Sequence, residues 1–123
     1  MLHMIRDRSF GKFLRERRMT RAAKSRAFSV RQLAGRVGIE PSYLSKIERD
    51  EQPPPGEETI RRIAAELGED PDVLLALAGK VSSDLSQIIR ERPTLVGELL
   101  RSIRRVPAKR IAEMARQVRD GNW

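Results

Sequence analysis

The sequence predicts an all-α fold, on three observations. Aromatic residues occupy only 4% of the 123 positions, and runs of β-branched residues are nearly absent, which disfavours strands. Apolar residues recur three and four positions apart along most of the chain. Glycine and proline punctuate these periodic stretches where helices start and stop.

From Phe10 the stretch FGKFLRERRM sets Phe10, Phe13, Leu14 and, further on, Met19 along one helical face, with Ser9 available as N-cap. The basic stretch TRAAKSRA that follows either lengthens this first helix or forms a loop. Ser29 is the expected N-cap of a short second helix carrying Val30, Leu33, Ala34 and Val37, and Gly38 can end it in the left-handed conformation. Pro41 suits the first turn of a third helix, where its missing N–H removes no intrahelical bond. Tyr43, Leu44 and Ile47 follow, and QPPPG at 52–56 cannot continue a helix. A fourth helix shows Ile60, Ile63, Ala64 and Leu67 and stops at Gly68; a fifth has Asp70 as N-cap, Pro71 at its first position and Gly79 as its stop.

Three further segments are amphipathic. They carry Leu85, Ile88 and Ile89; then, from Pro93, Leu95, Val96, Leu99, Leu100 and Ile103; then, from Pro107, Ile111, Met114, Ala115 and Val118. These stripes have two uses open to them, an intramolecular core or an interface. The interface candidates are Leu95, Leu99, Leu100, Ile103, Ile111, Met114 and Val118, because three short helices beside a five-helix unit expose more apolar surface than a small domain covers. The expected organisation is a flexible N-terminus at 1–9, a five-helix domain at 10–79 and a C-terminal helical extension at 80–123.

Composition narrows the function classes. The absence of cysteine excludes disulfides, thiolate nucleophiles and zinc–thiolate sites. His3, the single histidine, stands near the terminus, and no Ser/His/Asp, paired-acid or phosphate-loop signal is present, so no enzyme activity, metal or cofactor is expected. No apolar run reaches the length of a membrane span, and MLHMIRDRSF lacks the apolar core of a signal peptide, which predicts a cytoplasmic protein without a membrane partner. The net charge of +8 is uneven. Residues 1–50 hold 13 Lys and Arg against 5 Asp and Glu, residues 51–80 hold 3 against 7, and residues 81–123 hold 9 against 5. Basic charge gathered at one end favours a polyanion, whose condensed counterions are released on binding.

Two short helices joined by a tight glycine turn, with a basic helix before them, make a helix-turn-helix arrangement. A helix that enters the major groove reads bases with its exposed face and N-terminal end, so it needs compact hydrogen-bonding side chains there and only a few apolar residues to dock it. In GIEPSYLSKIER, Leu44 and Ile47 dock, and Glu40, Pro41, Ser42, Tyr43, Ser45, Lys46 and Arg49 remain for groove, backbone and solvent.

The stretch SVRQLAGRVGIEPSYLSKIER resembles the helix-turn-helix of the XRE family, the phage-repressor-like bacterial transcription regulators. The resemblance runs from about Phe10 to Gly79 and includes Ala34, the turn at Gly38 and the I-E-R ending. It implies a five-helix DNA-binding domain acting as a homodimer on an inverted-repeat operator in double-stranded DNA. It further implies that Ser29 with Arg31 or Gln32 meets phosphates or a neighbouring base, and that Glu40, Pro41, Ser42, Tyr43 and Lys46 face the major groove. Arg18 and Glu48 map to a structural ion pair that fixes the third helix.

Three departures from the family pattern stand out. Glu40 replaces the usual Ser or Thr cap, Asp50 replaces the glycine after I-E-R, and about five extra residues lie within Thr20–Ala27. This insertion brings Arg21, Lys24 and Arg26, either as a basic arm on DNA or as a solvated extension of the first helix. The rival expectation is an antitoxin, or a repressor controlled by a metalloprotease, whose C-terminal helices bind that toxin or protease.

Overall fold

A computed structural model describes residues 9–123. The flexible N-terminus expected over 1–9, His3 included, lies outside the described residues except for Ser9. The described residues form eight α-helices and two short 3-10 turns and contain no strand. No helix among them is long and apolar enough to cross a membrane. The chain divides after Ser82 into two compact units.

In the first unit, α1 spans Phe10–Ala22, α2 Val30–Val37, α3 Pro41–Glu48, α4 Glu57–Leu67 and α5 Pro71–Leu77, with a 3-10 turn at Arg26–Phe28. The expected caps form: the Ser9 hydroxyl accepts from the Lys12 N–H, that of Ser29 from Gln32, and the Asp70 carboxylate from Asp72. Gly38, Gly68 and Gly79 each take a positive φ just past α2, α4 and α5. In each case the next residue donates back five positions: Ile39 to Ala34, Glu69 to Ala64 and Lys80 to Leu75, at 3.0, 2.9 and 2.8 Å. That bond satisfies a carbonyl which the helix end would otherwise leave open.

The core is mostly the predicted apolar set, joined by Leu74 and Leu75 of α5, for which the sequence named no core residues, while Val30 and Tyr43 of the predicted stripes are only half-buried. Phe10, Phe13, Leu14, Leu33, Ala34, Val37, Leu44, Ile47, Ile60, Ile63, Ala64, Leu67, Leu74 and Leu75 are buried together. Met19 departs furthest, 49% exposed, and the helical period explains it. The face that carries Phe10 and Leu14 reaches Arg18 one turn later, whereas Met19 lies five positions beyond Leu14 and points well away from that face. The basic stretch after α1 resolves into both of its open alternatives in part. Thr20–Ala22 extend the helix, and the remainder forms a turn that Ser25 caps before the 3-10 turn.

In the second unit, α6 spans Ser83–Glu91, α7 Pro93–Ser102 and α8 Ala108–Arg119, with a 3-10 turn at Ile103–Arg105. Pro93 opens α7 as expected, and Pro107 caps α8 rather than beginning it. α6 packs on α7, yet no residue of 83–123 is buried. Leu95, Leu99, Leu100 and Val118 are each more than half exposed, and Ile103, Ile111 and Met114 are half-buried.

Candidate nucleic-acid interface

Helix α3 is anchored at one end. Leu44 and Ile47 are fully buried against α1, α2 and their neighbours. Beyond Glu48 the chain leaves α3 through Asp50, the one non-glycine residue of positive φ (60°) among the described residues. An aspartate tolerates that conformation better than most residues. Its carboxylate Oδ2 accepts from the Ser9 hydroxyl at 3.0 Å, so the residue in the unusual conformation also ties the start of α1 to the end of α3.

Gly11 makes this approach possible. A Cβ at Gly11 would lie 2.2 Å from the carbonyl oxygen of Ile47, 2.6 Å from Asp50 Oδ1 and 3.1 Å from the carbonyl oxygen of Glu48. The first turn of α1, with its unsatisfied N–H groups, thus abuts the carbonyl end of α3 at a distance that no side chain allows. A glycine in a helix is costly relative to alanine, and that cost was the signal in the sequence.

Arg18 and Glu48 form the implied ion pair, and it is buried rather than superficial. Their side chains are 10% and 4% exposed. Nε of Arg18 donates to Glu48 Oε2 at 2.6 Å and Nη2 to Oε1 at 2.8 Å, a bidentate fork. The remaining Nη1 donates to the carbonyl of Phe28 at 3.2 Å, which sequence reasoning missed. One guanidinium therefore joins α1, the end of α3 and the residue just before the α2 cap. No buried side-chain nitrogen or oxygen among the described residues lacks a partner.

The opposite part of α3 is left open. Glu40, Pro41, Ser42 and Lys46 are exposed, and Glu40 stands at the N-cap position without a side-chain capping bond. Ser42 and Lys46, one turn apart, have no side-chain partner among the described residues. Tyr43 is half-buried, its ring packed against the core while part of it remains accessible. In α2, Arg31 and Gln32 are exposed beside the half-buried cap Ser29, whose oxygen already accepts a backbone N–H.

Five acidic side chains elsewhere in this unit are held by arginines. Glu66 accepts from Arg36 at 2.6 Å, Glu69 lies 3.3 Å from Arg17, Glu57 and Glu58 pair with Arg61 and Arg62 one turn on, and Glu51 pairs with Arg49. Arg17, Arg36 and Arg49, from outside 51–80, thus offset three of the four excess negative charges of that segment. Of the insertion's three cations, Arg21 lies against the body of the unit, its guanidinium 5.6 Å from the Phe28 ring centroid. Lys24 and Arg26 are exposed and have no such partner.

The family model of a helix-turn-helix domain matches residues 9–77, more than half of the chain. Comparison with curated proteins and with solved structures gave no match. The match begins at the residue that caps α1, ends with the last residue of α5 and so coincides with the five-helix unit just described. The chain belongs to the helix-turn-helix domain family, and residues 9–77 are its DNA-binding unit.

Proposed function

We propose that the protein is a sequence-specific transcriptional repressor, cytoplasmic and without catalytic role, which binds an inverted-repeat operator as a homodimer with α3 in the major groove. The observation that carries this reading is the division of α3. Its C-terminal end is fixed by a buried ion pair, a glycine contact and the Asp50–Ser9 bond, while Ser42 and Lys46 toward its open side have no partner within the unit. Unpartnered polar groups on a rigidly held helix are what base readout requires. Lys46 can donate to guanine O6 or N7, and Ser42 to a base edge or phosphate. Glu40 would repel phosphate and fits best as an acceptor from a cytosine amine.

Homodimerisation is supported by the second unit, whose apolar side chains find no core of their own. A two-fold dimer presents two copies of α3 to half-sites about one helical turn of DNA apart. The same exposed stripe would equally suit a toxin or metalloprotease partner, and the mass of the purified protein separates the two readings.

Selection of bound duplexes from a random pool tests the proposal. A palindromic consensus is expected, and Lys46→Ala and Ser42→Ala should each weaken operator binding by about 1–3 kcal/mol and relax the preference at one position per half-site. Equal affinity of the unaltered protein for the selected and a scrambled duplex, at one salt concentration, refutes sequence-specific repression.

A further inference from the structure

Residues 17–39 contain no Asp or Glu and seven Lys and Arg. The structure sorts these seven. Arg17 faces Glu69, Arg18 is buried on Glu48, and Arg36 pairs with Glu66 while its guanidinium lies 5.2 Å from the Phe28 ring centroid. Arg21 covers the same ring, and its Nη2 sits 2.8 Å from where a Cβ on Gly68 would be, at the carbonyl end of α4, where a cation is favourably placed. These four are engaged within the fold. Arg31 belongs to α2, which leaves Lys24 and Arg26 in the connection between α1 and α2, exposed and with no partner among the described residues.

That connection is stiff. The N–H groups of Lys24 and Ser25 both donate to the Arg21 carbonyl, at 3.0 and 3.1 Å, and the Ser25 hydroxyl accepts from the Ala27 N–H at 3.2 Å. Phe28 and Ser29 donate back to Ser25 and Arg26 at 3.3 and 3.2 Å. Phe28, lying under two guanidinium groups, closes the turn, and its carbonyl is held by Arg18, the residue that also holds Glu48 at the end of α3. Lys24 and Arg26 therefore project from a backbone whose position is tied to the reading helix by one side chain. Cations fixed in this way lose less freedom on binding than cations on a mobile arm.

We propose that the α1–α2 connection is a backbone clamp, in which Lys24 and Arg26 neutralise two DNA phosphates beside the groove that α3 enters. The clamp rests on the DNA-binding reading above but not on its sequence specificity. It adds affinity for any duplex and carries no base preference, because phosphates present the same charge at every step. Arg21, which the sequence groups with these two, supports the turn and is not part of the clamp.

The test is the salt dependence of binding by the full chain to the selected operator and to a scrambled duplex. The variants are Lys24→Ala with Arg26→Ala, Lys24→Arg with Arg26→Lys, and Arg21→Ala, each checked for helix content by circular dichroism. Removing two phosphate contacts per protomer, four for the proposed dimer on its operator, should lower the slope of log K against log salt by about 3.6, so that from 50 to 200 mM salt the double-alanine variant loses roughly 150-fold less affinity than the unaltered protein. The loss should be equal on both duplexes, leaving the specificity ratio unchanged. The charge-conserving exchange should keep the slope, and Arg21→Ala should lower the melting temperature and keep the slope. An unchanged slope for the double-alanine variant, a loss confined to the operator, or no duplex binding by the unaltered protein overturns the clamp. A protein that shows the slope change but no preference between duplexes keeps the clamp and refutes the repressor reading.

Discussion

Glu48→Ala is expected to be the most damaging single side-chain truncation near the interface. It leaves the Arg18 guanidinium about nine-tenths buried, with only the Phe28 carbonyl at 3.2 Å to receive its hydrogen bonds in place of two carboxylate oxygens at 2.6 and 2.8 Å. Breaking a buried pair from one side typically costs about 3–5 kcal/mol, because an uncompensated charge remains. That is a large share of the roughly 5–15 kcal/mol that holds a small domain folded. For a unit of this size it corresponds to a fall in melting temperature of at least about 12 °C. Replacing both residues, Arg18→Met with Glu48→Leu, removes both desolvated charges and should recover stability to within about 1 kcal/mol, the residual reflecting the orphaned Phe28 carbonyl. Urea titrations should follow far-ultraviolet circular dichroism together with the signal of Tyr43, the sole tyrosine, which packs on the core of this unit. A loss below about 1 kcal/mol for Glu48→Ala, the scale of an exposed pair, would refute the inference that burial makes this bridge a brace.

Two further expectations concern glycine and the second unit. Gly11→Ala should destabilise by roughly 1–3 kcal/mol despite alanine's better helix propensity, because the Ile47 carbonyl 2.2 Å away is backbone and must be pushed aside. Gly35→Ala is the control: it lies inside α2 with nothing within 4 Å of the new methyl, and should stabilise by about 0.5–1 kcal/mol in the same urea titration. Leu95→Glu with Leu99→Glu places two carboxylates on residues 64% and 55% exposed, one turn apart on α7. Light scattering should show a dimer mass for the unaltered protein, as proposed, and a monomer mass for the variant; a dimer mass for both would remove α7 from the interface.

Helix ends were legible in the sequence because capping is local chemistry. Ser9, Ser29 and Asp70 cap, and Gly38, Gly68 and Gly79 turn left-handed, in each case through bonds spanning at most five residues. Asp50 was legible for the same reason, although its bond to Ser9, 41 residues away, was not. What joins distant segments was harder to see. The resemblance paired Arg18 with Glu48, but not the pair's burial nor its third bond to Phe28, since both depend on how closely α1 and the connection pack on α3. Met19 extends the apolar stripe of α1 in sequence, but the helical period puts Arg18 at that core-facing position. A charged residue at a core-facing position was the available clue that a buried partner waited elsewhere. Arg21, Lys24 and Arg26 looked alike in sequence and separate only once Phe28 and the end of α4 are in place.

The physical problem for α3 in its proposed role is that a helix kept free for DNA must give up part of the packing that would otherwise hold it. With only Leu44, Ile47 and the partly buried Tyr43 facing the core, apolar burial gives it a narrow seat about which a short helix could roll. Rolling would carry Ser42 and Lys46 off any base register, since 20° of rotation at side-chain radius moves a donor by more than the tolerance of a hydrogen bond, roughly 0.5 Å. The contacts that stop it are all directional and all at the C-terminal end: a bidentate fork to Glu48, a hydroxyl on Asp50, and a backbone approach at Gly11 that no other residue permits. Directional bonds there fix rotation without covering the N-terminal turn, which is where a recognition helix meets base edges. A buried ion pair adds little net stability over well-packed hydrophobes, so its use at this position is better explained by orientation than by strength. On that argument the Arg18→Met, Glu48→Leu protein should fold nearly as well and read its operator less well, through loss of discrimination rather than loss of general DNA affinity.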